Sequence, residues 1–485
     1  MKVRVSLIKN KTEQVIEAER GTLLSDLLCL NHVHIDLPCA GRGTCNNCKV
    51  LVDGEERLVC QTRLERDVCV VVADDLTLAS TMAGNLLVPP KNPMYTRYGL
   101  SIDIGTTTLY ASLFDRDGQS VTTVRKNPQT AFGADVISRI EQAMGGALED
   151  IAHAVRAALA EMTEALCEGR AIAPESIDAA VITGNTAMLY LLTGQNPVSL
   201  SVAPFLADRL FGESVAAKAL ALPLSPLATV YLPRSISAFV GSDITTAILA
   251  SGMQSGAETA LLVDIGTNGE MALWHEGTLF CCSTAAGPAF EGAGISSGMY
   301  GGSGAIDHVW HEGDELRVST IGGGQAVGIC GSGIVDALAV MLQLGIIDET
   351  GAFEEGDSFT LQNGVSVTAQ DVRKIQLAKG SVRAGLETLL ESAGVDKASV
   401  KTLYIAGGFG NFLNLENAVA IGLIPEELQD RVVMLGNAAH DGATILLADK
   451  TLMKRSEEQV ALAKTVALDA NPVFTEHYMN CMMFL

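Results

Sequence analysis

One short pattern occurs twice in this chain and limits its possible folds more than any other feature. The first copy, LSIDIGTTTLYASLFD, holds Asp103, Gly105, Thr106 and Thr107; the second, LLVDIGTNGEMALWHEG, holds Asp264, Gly266, Thr267, Asn268 and Gly269. Each reads as a buried strand, a DIGT turn and a second strand. A single copy would also describe an ordinary hairpin turn. Two copies, 161 residues apart, imply a duplicated fold whose two lobes can clasp one ligand. Such hairpins suit phosphate: glycine lets the backbone approach, N–H groups and threonine hydroxyls donate, and aspartate holds hydrated Mg²⁺. Asp103 and Asp264 are therefore the candidate catalytic residues, organising Mg²⁺ and a hydrolytic water. The glycines, threonines and Asn268 of the two turns are candidates for the phosphates of a nucleotide. A third element, LYIAGGFGNFL, fits an adenosine site in which Gly407 and Gly408 let the backbone pass base and ribose.

The N-terminal segment has a different texture. Residues 3–8 alternate apolar and polar, residues 15–18 offer a partner strand, and Thr22 is placed to cap a short helix. Then comes LPCAGRGTCNNCKVLVDGEERLVCQTRL, with Cys39, Cys45, Cys48 and Cys60 spaced C-x5-C-x2-C-x11-C. Three thiolates on one glycine-bearing loop, joined by a fourth after a strand and turn, suit a [2Fe–2S] cluster. Gly41 and Gly43 permit the bend and let backbone N–H groups face the sulfurs. The spacing resembles the vertebrate-type and bacterial ferredoxins rather than the plant type. A four-cysteine zinc site stays open as the alternative, although it usually pairs two C-x2-C knuckles. Cys29, Cys69, Cys281, Cys282 and Cys330 read as buried small hydrophobes.

At 485 residues, two or three domains are expected. The expected division is a ferredoxin-type domain over 1–76, a linker over 77–97, lobe I over 98–255 and lobe II over 256–485. The linker TLASTMAGNLLVPPKNPMYTR holds three prolines and no clear period. It reads as a flexible tether, with docking of residues 86–88 on the large domain as the alternative. The formal net charge of −23 excludes a nucleic-acid role, because phosphate backbones require clustered cations. The charge sits on the large domain: net −2 over residues 1–76 and −21 over the rest. No apolar run reaches the roughly 18 residues that span a bilayer, and MKVRVSLIKN lacks the core of a signal peptide. A cytoplasmic protein with no membrane association is expected, in which 11 cysteines are not a disulfide framework.

No G-x-x-x-x-G-K-[ST] occurs, and neither GGGQAVG nor GSGIVD completes a dinucleotide fingerprint. The two phosphate elements and the adenosine element instead resemble, in order and content, the superfamily of actin, heat-shock chaperones and sugar kinases, the ASKHA ATPases. The implied fold is α/β: an α+β β-grasp ferredoxin domain followed by a two-lobed actin/hexokinase-like domain. Joined to a ferredoxin, the chain resembles the reductive activators of corrinoid proteins. The resemblance lies in GNTAMLYLLTGQNP, FVGSDITTAILASGM, DIGTNGE, GPAFEGAGISSGM, GICGSGIVDALAVMLQLGIID and IAGGFGNFLNLENAVAIGLIP. It implies ATP-dependent delivery of one electron from the [2Fe–2S] cluster, reducing Co(II) to Co(I) in a corrinoid protein of anaerobic methyl transfer. A low-potential electron donor is implied as a second partner, and a homodimer is open. Two departures stand out: the chain ends EHYMNCMMFL, with no further cluster motif, and it is compact between ferredoxin and ATPase. The alternatives are an activator of another low-potential metalloenzyme, such as a 2-hydroxyacyl-CoA dehydratase, a redox-regulated small-molecule kinase, or a non-catalytic redox-dependent binding module.

Asp243, Glu270 and Glu291 lie in glycine-flanked segments and could act as a general base, though turn or cap roles are the plainer expectation. His440-Asp441 tempts a metal reading; a helix N-terminus is expected instead. The Met-rich tail, 478–485, is expected to dock.

Overall fold

In a computed structural model of the chain, residues 2–9, 12–30, 48–72, 89–313, 315–408 and 412–484 are described. Alternating residues build the first sheet. It comprises β1 (Lys2–Lys9), β2 (Thr12–Glu19), β3 (Lys49–Val52), β4 (Glu55–Leu58) and β5 (Val68–Val71), with helix α1 (Leu24–Leu30) between β2 and β3. The strand order is β2-β1-β5-β3-β4, with β1 and β5 parallel, as a β-grasp requires. Val3, Val5 and Leu7, one face of β1, pack on Leu24, Leu27, Leu28 and Val70.

The first large sheet has the order β10-β11-β9-β6-β7-β8. Its strands are β6 (Tyr98–Ile104), β7 (Thr108–Asp115), β8 (Ser120–Lys126), β9 (Ile177–Gly184), β10 (Glu213–Ala216) and β11 (Thr229–Leu232). Helices α2 (Val136–Gln142), α3 (Leu148–Arg170), α4 (Thr186–Thr193) and α5 (Ser242–Ser251) accompany it. One side of α3, Ile151, Val155, Leu159 and Met162, fills the space above Leu109, Ala111 and Leu113.

The second large sheet repeats the pattern: β21-β20-β12-β13-β14-β22. Here β12 (Ala260–Ile265), β13 (Gly269–His275) and β14 (Thr278–Thr284) are the antiparallel trio. An inserted sheet of β15 (Ala305–Glu312), β16 (Glu315–Thr320) and β17 (Gly328–Ile329) leads into α6 (Gly331–Gln343). The hairpin of β18 (Ser358–Gln362) and β19 (Val365–Thr368) leads into α7 (Ala369–Ala393), which opens on a Thr368/Asp371 capping box. The chain closes with β20 (Thr402–Ala406), α8 (Leu415–Ala420), β21 (Val432–Gly436), α9 (Ala438–Ala448), α10 (Leu452–Ala461), β22 (Lys464–Thr465) and α11 (Pro472–Cys481).

The lobes exchange helices. Ile244, Ala247 and Ile248 of α5 pack on Leu262, Ala272 and Cys281 of the second sheet. Ala443, Leu446 and Leu447 of α9 pack on Phe114, Val181 and Tyr231 of the first. Where the two helices cross, a Cβ on Gly442 would lie 1.9 Å from the Thr246 carbonyl oxygen, so only glycine permits the approach. Two sheets that each bury the other's helix form one body with a cleft.

The end of the expected linker, 77–97, packs on the large domain at residues 91–95. Lys91 and Asn92 donate to the Ala448 carbonyl, Met94 donates to that of Leu447, and Tyr95 is buried. Its last residues therefore belong to the two-lobed body, while residues 77–88 lie outside the described residues. The tail docks as expected: Phe484 is buried, and the buried Lys379 ammonium of α7 donates to the Met483 carbonyl.

Candidate functional site

The strand β6 carries Asp103 next to its end, and β12 carries Asp264 in the same place. The turns that follow are tight. The Gly105 N–H donates to the Thr108 carbonyl at 2.9 Å, and a Cβ on Gly105 would sit 2.8 Å from that oxygen. In the second turn the Gly266 N–H donates to the Asn268 carbonyl at 3.1 Å, and a Cβ on Gly269 would lie 2.7 Å from Thr284 Oγ1. The two turns meet across the cleft. Thr107 and Thr267 hydroxyls are 3.3 Å apart, and both donate to the Glu291 carboxylate, at 2.5 Å from Thr107 and 3.1–3.2 Å from Thr267.

Buried polar groups fix the first turn. Arg139 is fully buried, donating to the Gly133 carbonyl at 2.9 Å and to the Thr106 carbonyl; burial brings its pKa down to about 10. Asn185 caps α4 by accepting from the Met188 N–H and donates to Thr106 Oγ1 at 3.1 Å. From the other lobe, Asn437 donates to Asp103 Oδ2 at 3.0 Å. Beside the turns, Lys126 Nζ lies 5.1 Å from the Tyr300 ring centre.

Five carboxyl groups share this cleft. Burial pushes Asp103 up to about 6, with the Asn437 hydrogen bond opposing. Burial, with the charges of Asp103 and Glu291, pushes Asp264 up to about 7. Asp243 and Glu270 are both pushed upward by burial and then by neighbouring carboxylates; the Gly241 N–H donates to Glu270 at 3.1 Å. Glu291 is raised by burial, against the two threonine hydroxyls. A crowded acidic cleft of this kind favours a cation. Among the described residues no three His, Cys, Asp or Glu side chains converge enough to hold a metal alone.

Gly407, expected beside an adenosine, has φ +100° and lies against the second aspartate: a Cβ would be 2.4 Å from the Ile265 carbonyl and 3.0 Å from Asp264 Oδ1. Gly408 faces open space, and residues 409–411 lie outside the described residues. His440 and Asp441 begin α9, whose cap Asn437 accepts from the His440 N–H, so the expected helix N-terminus is found. Cys281, Cys282 and Cys330 are buried in the core.

In the N-terminal unit, Cys48 and Cys60 bury their sulfurs 3.2 Å apart. The Val59 N–H donates to the Cys48 carbonyl, which holds the two chain segments together. Two thiols this close can bind one metal atom, so the described half of the set fits a cluster. Cys39 and Cys45 lie outside the described residues, as do Gly41 and Gly43.

Sequence reasoning did not single out Arg139, Asn185, Asn437 or Tyr300. Asn185 stood in the GNTAM stretch, where a helix cap was the available signal. Asn437 and Arg139 act on partners hundreds or tens of residues away, and nothing local marks them.

Comparison with known proteins accounts for the arrangement. Residues 98–256 match the RACo middle region, and residues 258–485 match the C-terminal domain of RACo, the ASKHA domain. The chain is 34% identical over 418 residues to the corrinoid activation enzyme RamQ of Eubacterium limosum, covering 80% of this chain and 70% of the relative. It is 26% identical over 415 residues to the Co(II) methylated-amine-specific corrinoid protein reductase of Methanosarcina barkeri, covering 79% and 75%. A solved reductive activator for corrinoid, iron–sulfur protein superposes with a TM-score of 0.75 at 26% identity, over 99% of this chain and 98% of that one. The chain belongs to the RACo family, the ATPases that reductively activate corrinoid proteins.

Proposed function

We propose that this chain uses ATP to drive one electron from an N-terminal [2Fe–2S] cluster to the Co(II) of a corrinoid methyl carrier, returning it to Co(I). The observation that carries the ATP part is the meeting of Thr107 and Thr267 across the cleft, since a ligand held by both turns must hold both lobes. Cys48 and Cys60, with Cys39 and Cys45, would ligate the cluster. When bound there, the cluster supplies single electrons at low potential.

Plant-type [2Fe–2S] centres, whose spacing this loop does not share, sit at about −400 mV, and the family resemblance implies that a corrinoid Co(II) needs a still lower potential. Each further 59 mV costs about tenfold in a one-electron equilibrium. Nucleotide can offset this only through different affinities for two conformations, and closure of the lobes about α5 and α9 offers the two states. Asp264 would hold a water of Mg²⁺ and orient the hydrolytic water. Asp103, fixed by Asn437, would be the second carboxylate to hold the ion. Thr106, Thr107, Thr267 and Asn268 would receive the phosphates, Gly105, Gly266 and Gly269 would admit them, and Gly407 with Gly408 would flank the adenosine. The lower division, 1–76 against 98–255 and 256–485, makes the ferredoxin a delivery arm on a tether. A reducing cytoplasm suits such a centre.

The test is anaerobic: protein, strong reductant, Mg-ATP and a Co(II) corrinoid protein, followed by Co(I) absorption. Co(I) forming equally fast without ATP refutes energy coupling. Replacing Cys48 by Ser should remove iron and colour; a colourless wild type holding one zinc refutes the cluster.

A further inference from the structure

The two hydroxyls best placed for nucleotide phosphate already have an anionic partner. A threonine hydroxyl has one proton to donate, and in this structure those of Thr107 and Thr267 both go to Glu291. A phosphate oxygen that accepts from the same hydroxyls must take them from the carboxylate. Two anions cannot share the position without strong repulsion in a buried cleft. Glu291 sits on a glycine-bracketed turn. Gly287, Gly292 and Gly294 flank it, each with φ +78°, and the segment is tied at its far end to the start of α7. There the Ser296 N–H donates to Asp371 at 2.9 Å, and Lys374 donates to the Gly294 carbonyl. The carboxylate depends on its two donors, because burial alone works against its charge.

We infer that Glu291 is a phosphate sensor: its carboxylate occupies the place of the nucleotide's terminal phosphate between the two turns, and ATP binds by displacing it. This rests on the reading of the cleft as the nucleotide site. The last phosphate is the one that both turns can reach at once, so ATP competes with Glu291 and ADP does not. Glu291 is thus a specificity-determining residue that weakens ATP binding. Its release on binding is linked to movement of residues 288–299.

The experiment measures Kd for Mg-ATP and Mg-ADP by equilibrium dialysis on wild type, Glu291→Ala and Glu291→Gln, together with kcat for hydrolysis and melting temperature. The inference predicts that Glu291→Ala binds ATP about tenfold more tightly while ADP affinity changes less than about twofold. Glu291→Gln, which keeps an acceptor oxygen but no charge, should fall between. ATP affinity unchanged with kcat down a hundredfold would make Glu291 a general base and overturn the sensor. Both nucleotides weakened together with a lowered melting temperature would make it a structural brace and also overturn it. Wild type binding neither nucleotide would refute the site itself, and with it the sensor.

Discussion

The two DIGT hairpins share four residues and a strand–turn–strand path, yet their surroundings differ. The first is braced from below. Arg139 holds its backbone, Asn185 holds Thr106, and Asn437 reaches over from the other lobe to hold Asp103. The second is held by close packing, with Gly407 against Asp264 and Gly269 against Thr284, and by bonds at Thr267, whose hydroxyl donates to Glu291 and whose carbonyl accepts from the Gly287 N–H; its aspartate is left out of that brace. Asp264 makes no side-chain hydrogen bond to a described residue. The duplicated motif thus differs at its aspartate: that of the first copy is gripped from the other lobe, and that of the second presents an unheld carboxylate to the cleft. The difference teaches that the chemistry is to be sought on the second turn and the rigidity on the first.

The largest expected effect tests that division directly. Asp264→Asn should lower kcat for ATP hydrolysis by about 10²–10³, the lower part of the roughly 10²–10⁴ that a positioned acid or base contributes. Asp103→Asn should lower it by about tenfold, because its hydrogen-bonded position survives. Steady-state phosphate release measures both, and equal losses would break the asymmetry. Next comes Arg139→Met. It leaves the Gly133 and Thr106 carbonyls buried without donors, at about 1–3 kcal/mol each, so stability should fall by about 3 kcal/mol in denaturant titration. A loss below about 0.5 kcal/mol would mean that the first turn holds itself.

The duplication was legible because DIGT is local and each copy sits on one strand end. The β-grasp was legible too, from the alternation of residues 3–8 and the cysteine spacing. What escaped was everything made by folding. Arg139 reads as an ordinary charged helix residue, yet it is fully buried. Glu291 looked like a turn residue and is one, yet the same turn carries it to both threonines. Asn437 is separated from Asp103 by 334 residues, and no pattern in one sequence pairs them. Residues 91–95 lacked any period because they run over α9 rather than along a sheet. Spacing reveals motifs, whereas cross-lobe bonds depend on how the lobes exchange α5 and α9.

The acidic cleft makes a further prediction about pH. Asp103 and Asp264 are held at about 6 and about 7 in the folded protein, against about 3.9 unfolded. Between about pH 4 and pH 7 the native state therefore binds more protons than the unfolded state, and stability falls as pH rises. The nucleotide-free protein should melt lower at pH 8 than at pH 5.5 through these groups. Mg-ATP should flatten the slope, because a bound cation favours the ionised forms. A melting temperature that rises across this interval in Asp103→Asn, Asp264→Asn and wild type alike would remove the cleft as its cause.

The smallest effect is the most discriminating, because Asn437 has two separable jobs. Its Oδ1 accepts from the His440 N–H and caps α9, and its Nδ2 donates to Asp103. Asn437→Ala loses both, and the cap alone is worth about 1 kcal/mol. Asn437→Asp restores a good cap but sets a carboxylate where the donor was, 3.0 Å from Asp103 Oδ2. If Asp103 works because the other lobe holds it, the Asp variant should regain most of the lost stability. Its hydrolysis should stay impaired, by about tenfold or less, and recover partly at lower pH as the shared proton returns. Asn437→Asp hydrolysing like wild type at every pH would show that the first turn needs no brace from lobe II, and the contrast between the hairpins would rest on Arg139 alone.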